Sequence, residues 1–123
     1  MITTLLKNIR IRGLASAVSD NWDDLDKYKE LMGEANVDKF KKSTGVKGRY
    51  ISPEKQTTAD LAFAAAQKLI EKYNISPEND IDAIVFVSQT ADYTKPATAC
   101  VLHKRLGLKK DCIAYDISLG CSG

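Results

Sequence analysis

Apolar and polar residues follow three different rhythms along this chain, and each predicts a different element. Ile9–Arg12 alternates apolar with basic positions, which predicts a half-exposed strand with Gly13 as a bend or bulge behind it. Asp20–Met32 changes to helical spacing. Asp20 or Asn21 can cap that helix, Leu25, Tyr28, Leu31 and Met32 share a face, and Gly33 ends it. A shorter helix is expected over Asn36–Lys42, with Val37 and Phe40 facing inward and Thr44-Gly45 as its break. After the Ser52-Pro53 loop, Thr57 or Thr58 can cap a long helix with its stripe at Leu61, Ala62, Ala65, Ala66, Leu69, Ile70 and Tyr73. Asn74 is placed to end it in the left-handed conformation. Asp82–Thr90 is apolar without alternation from Ala83 to Val87, which predicts a strand covered on both faces, as in a parallel sheet. Pro96 is expected to open a helix with Ala99, Leu102 and Leu106 inside and Gly107 as its cap. Ile113, Tyr115 and Ile117 then read as a closing strand.

Strand, helical insertion, helix, strand, helix, strand implies right-handed crossovers and an α/β layer built on a mostly parallel sheet. The insertion occupies about residues 20–56 of what is expected to be a single segment spanning 1–123. Functional groups in such sheets collect at the carboxyl ends of strands, where Gln89, Thr90 and Cys121 fall. Cys121 sits between Gly120 and Gly123 in a tight turn. If a helix follows, its free N–H groups and positive dipole end would favour a thiolate nucleophile. The competing reading is a small buried residue in an ordinary turn. Cys100 and Cys112 are expected to pack.

Composition narrows the classes. With 18 basic and 16 acidic residues the net charge is +2, which argues against a nucleic-acid binder or a membrane-surface protein. No apolar run is long enough to span a bilayer and Met1–Gly13 lacks a signal-peptide core, so a cytoplasmic protein is expected. Three cysteines without C-x-x-C spacing read as reduced thiols, and no metal site is expected. Lys39, Lys41, Lys42, Lys47 and Arg49 lie close together without an acidic neighbour between residues 39 and 49. They form either a solvated face or a docking surface for phosphates or an acidic carrier.

Several stretches together carry a resemblance: STGVKGRYI (Ser43–Ile51), TADLAFAAAQKLIE (Thr58–Glu71), IDAIVFVSQT (Ile81–Thr90), PATACVLHKRLGL (Pro96–Leu108) and AYDISLGCSG (Ala114–Gly123). In order and spacing they resemble the amino-terminal part of 3-oxoacyl-[acyl-carrier-protein] synthase III, a condensing enzyme of the thiolase superfamily. The resemblance implies a thiolase-like layered fold. It also implies an acyltransferase whose cysteine, Cys121 here, takes an acyl group from a coenzyme A thioester before decarboxylative condensation with malonyl-carrier protein. Coenzyme A is then a substrate, with no permanently bound cofactor, and Lys41, Lys42 and Arg49 are possible contacts for coenzyme A or carrier phosphates.

By the same resemblance, the histidine and asparagine that complete the site come from a carboxyl-terminal half absent here, so this chain alone is expected to be inactive. The implied partners are that missing half, a second copy in a homodimer, and acyl carrier protein. Lys39 and Ser43 stand where many bacterial members have the tryptophan and arginine that hold the adenine, and Lys95 replaces an apolar residue that reaches the partner's acyl pocket. His103, the single histidine, does not match the catalytic one. Two alternatives stay open: a non-catalytic thiolase-like interaction module, and another acyltransferase of the superfamily.

Overall fold

The computed structural model describes residues 4–119. Its centre is a parallel strand pair, β3 (Ala83–Val87) and β4 (Ile113–Ile117), paired from Ala83↔Ile113 to Val87↔Ile117. Two helices cover one face, α3 (Thr58–Tyr73) and α4 (Thr98–Leu106). Ala59, Phe86, Ala99 and Leu102 form the core between them, with Ala62, Phe63, Ile84 and Ala114 packed around it. Ala59 and Ala99 have no exposed surface, so the helices approach closely where their side chains are small.

Each of these helices ends as its residues dictate. Thr57 and Asp60 form a reciprocal capping box at the start of α3, and Asn74 closes it at φ 48°, ψ 50°. The Asp60 carboxyl lies below the usual carboxylate range because the Thr57 backbone N–H, and then the Arg105 guanidinium, stabilise its charge. Gly107 ends α4 in the left-handed conformation.

Ahead of this layer lies the insertion. Antiparallel strands β1 (Trp22–Asp24) and β2 (Gly48–Tyr50) flank a 3-10 turn (Leu25–Tyr28), α1 (Lys29–Met32) and α2 (Glu34–Thr44). Trp22 meets Tyr50 edge-on with ring centroids 5.0 Å apart. A Cβ on Gly48 would come within 2.4 Å of the Trp22 ring and 2.6 Å of the Asp23 carbonyl oxygen. Only glycine allows this approach of backbone and ring. Asp23 is buried between the strands: the Tyr28 hydroxyl donates to it at 2.9 Å, Arg49 Nε at 3.1 Å, and the Lys27 amine pairs with its other oxygen.

Several expectations from sequence are corrected. Residues 20–32 do not form one helix: Trp22–Asp24 is strand, and Asp24 rather than Asp20 or Asn21 accepts the capping bond, from Asp26 N–H at 2.9 Å. Pairing with Gly48–Tyr50, distant in sequence, overrides the local helical pattern. Leu31 and Phe40 are exposed, since α1 is a single turn and the described residues offer no second layer over it. Ile9–Arg12 forms no strand among the described residues. An alternating segment needs a ladder partner, and β3 and β4 pair only with each other there. β3 is covered on one face rather than two, leaving Val85 and Val87 exposed. Pro96 precedes α4 by two residues instead of opening it, after a cis Lys95–Pro96 bond. Cys100, on α4, is exposed rather than packed, whereas Cys112 is buried as expected.

Candidate functional site

The carboxyl ends of β3 and β4 lie side by side, joined past the last strand residues by Ser88 N–H donating to the Ile117 carbonyl at 3.2 Å. From β3 the chain runs into a hydroxyl chain: Ser88 Oγ lies 3.1 Å from Thr90 Oγ1, which is 2.8 Å from Thr58 Oγ1 on α3. Asp92 accepts from the Thr57 hydroxyl at 2.8 Å and ties the same loop to the start of α3. Gln89 is exposed beside them. Cys121, with Gly120 and Gly123, lies outside the described residues, four positions beyond the end of β4.

Asp116 was not singled out by the sequence reading, yet it organises this end of the sheet. Its two carboxylate oxygens each accept a backbone N–H from the first turn of α4, Thr98 and Ala99, both at 2.7 Å. α4 has no side-chain cap of its own, so the strand supplies the anion its amino terminus needs. The signal was present in IAYDI: Asp116 shares a strand face with Ala114, which packs on the core, and a carboxylate there requires a partner.

The basic residues fall on the insertion. The Lys41 amine lies 2.8 Å from Asp26 and 3.7 Å from Asp24, and the Asp26 carboxylate holds its pKa above the ordinary lysine value. Arg49 is paired with Asp23, while Lys42 is exposed and makes no ion pair among the described residues. Beside them runs an apolar groove of about 260 Å³ lined by Leu25, Tyr28, Met32, Asn36, Val37 and Phe40. His103 Nε2 is 2.9 Å from the Lys109 carbonyl, a partly buried helical residue with its partner satisfied. No group of three or more His, Cys, Asp or Glu side chains placed to hold a metal occurs among the described residues.

Parallel strands flanked by covering helices and an antiparallel, helical insertion define a thiolase-like α/β segment. A 3-oxoacyl-(acyl-carrier protein) synthase from Burkholderia xenovorans superposes with a TM-score of 0.80 at 36% identity, over 89% of this chain and 32% of the other. OleA from Xanthomonas campestris shares the fold, with a TM-score of 0.72 at 23% identity over 85% of this chain and 32% of the other.

In sequence the chain is homologous to a segment of beta-ketoacyl-[acyl-carrier-protein] synthase III. It is 42% identical to the Helicobacter hepaticus protein over 91 residues, 73% of this chain and 27% of that one. It is 43% identical to the Campylobacter jejuni protein over 95 residues, 76% of this chain and 29% of that one. The chain thus spans under a third of the length of these curated relatives. No protein-family model matches it.

Proposed function

We propose that this chain is the amino-terminal, nucleophile-bearing part of a condensing enzyme of fatty-acid-type synthesis, with Cys121 as the acyl acceptor. The observation that carries the reading is the run DISLGCSG, leaving the carboxyl end of a parallel strand in a fold shared with synthase III. Cys121 thiolate attacks the acyl-CoA carbonyl, the tetrahedral oxyanion collapses, and coenzyme A leaves as its thiol after protonation. Malonyl-carrier protein then loses carbon dioxide, its carbanion forms the new carbon–carbon bond to the acyl carbonyl, and the Cys121 thiolate departs. Decarboxylation needs groups that stabilise the carbanion, and the proposal assigns these to a histidine and an asparagine outside these 123 residues.

The uncovered sheet supports a larger assembly. Val85, Val87, Ile113 and Tyr115 are 42%, 49%, 61% and 47% exposed, a two-strand apolar surface that a soluble fold covers. The reading assigns it to the rest of the polypeptide and to a second copy. Coenzyme A is assigned to the insertion, with Lys42, Lys41 and Arg49 offering charge to its phosphates and the neighbouring groove taking an apolar arm. Acyl carrier protein, as an acidic partner, would meet the same basic residues. No helix among the described residues is long and apolar enough to cross a membrane, and the reading makes the protein cytoplasmic.

Incubation of the intact gene product with acetyl-CoA followed by intact-mass measurement tests the first step. One acyl group gained per chain, with one coenzyme A released, is expected. An unchanged mass, with coenzyme A bound or not, would instead support a non-catalytic interaction module.

A further inference from the structure

On the reading that Cys121 carries the acyl group, we infer that Asp116 is a positioning residue for it, holding α4 against the end of β4 and thereby setting where the chain leaves the sheet. Both Asp116 oxygens are committed to Thr98 and Ala99 N–H at 2.7 Å, short distances for charge-assisted bonds. Thr98 and Ala99 are fully buried and Asp116 is half-buried, so loss of the carboxylate leaves two first-turn N–H groups without their acceptor. On its other side β4 is tied to β3 by the Phe86↔Asp116 and Val87↔Ile117 pairs and by the Ser88–Ile117 bond. The strand end is therefore fixed from two directions at once, by a sheet neighbour and by a helix. Cys121 follows five residues after Asp116, a reach of at most ~18 Å even when fully extended. Small misplacements of a nucleophile have large kinetic effects, so on this inference a shift of β4 against α4 is read out in the acylation rate. The same carboxylate also fills the amino terminus of α4, so that terminus serves the scaffold and is not a second anion site.

The test is pre-steady-state acylation of the intact gene product by acetyl-CoA, reading the rate constant, the amplitude and the acetyl-CoA concentration at half-saturation. Asp116→Ala is expected to slow acylation on the order of tenfold to a hundredfold per folded molecule, with half-saturation unchanged. Asp116→Asn, which keeps one acceptor oxygen, falls between it and wild type. Thr98→Pro approaches the same contact from the other side and decides the matter if Asp116→Ala does not fold. It deletes one donor at a first helical position that accepts proline, behind an Ala97 already extended at φ −55°, ψ 141°. A loss of amplitude alone, with the folded fraction reacting at the wild-type rate, would mark a purely structural cap and overturn the inference. A wild-type protein that takes up no acyl group would instead sink the reading on which it rests.

Discussion

Cys121→Ala abolishes acyl uptake from acetyl-CoA, to below about a thousandth of the wild-type rate, while Cys100→Ala leaves it within about twofold. The contrast follows from the proposed role of Cys121 and from where the other two sulfurs lie. Cys100 is exposed on α4, and Cys112 is buried just ahead of the amino end of β4, its Sγ 3.7 Å from the Ile113 carbonyl. Neither stands at the carboxyl end of a strand, where parallel sheets gather their chemistry. Cys112→Ala removes a buried group and lowers stability by roughly 1 kcal/mol without changing the acylation rate of the folded protein. Intact-mass kinetics on the three variants measure this directly, and retention of acyl uptake by Cys121→Ala would remove Cys121 from its role.

Asp23→Ala is expected to cost about 2–3 kcal/mol, lowering Tm by roughly 8–12 °C in a chain of this size. Asp23 is the buried member of its cluster, with its side chain 2% exposed, whereas Lys27 and Arg49 are 55% and 64% exposed. Those cations regain water when the carboxylate is removed, which places the loss below that of a fully buried pair. What does not recover is the link between the β1–β2 pair and the 3-10 turn after β1, because the Tyr28 hydroxyl and Arg49 Nε meet on the same Asp23 oxygen. Asp23→Asn keeps the shape and one acceptor and should lose about half as much, and Arg49→Ala about 1 kcal/mol or less. Thermal melts of the variants give the order. Equal Tm values for Asp23→Ala and wild type would mean that the insertion is held by its Trp22–Tyr50 contact instead.

Elements with strong local signals were legible in the residues. α3 announced itself through Thr57 and Asn74, each doing in the structure what its chemistry suggests, and Gly45 and Gly107 end their helices as expected, whereas the return bond from Asp60 emerged only in the structure. The parallel pairing of β3 with β4 followed from the order of elements. What escaped depends on partners far away in sequence. Trp22–Asp24 carries acidic residues that suit a helix start, and only its ladder with Gly48–Tyr50 makes it a strand. The apolar run of β3 looked like a strand covered twice, yet among residues 4–119 only α3 and α4 are there to cover it. Asp116 was hidden for a similar reason: its partners are backbone N–H groups of Thr98 and Ala99, which no side-chain pattern advertises. Lys41 and Arg49 were identified by charge alone, whereas the fold commits each to a carboxylate on the insertion as well.

Cys121 is proposed to serve decarboxylative carbon–carbon bond formation. The most direct test of this role supplies the intact gene product with acetyl-CoA and malonyl-carrier protein, following carbon dioxide, free coenzyme A and the carrier-bound product together. One carbon dioxide for each coenzyme A, with a 3-oxoacyl group on the carrier and none of these from Cys121→Ala, is the predicted result. Coenzyme A release with the malonyl group left intact, or carbon dioxide release undiminished in Cys121→Ala, would contradict it.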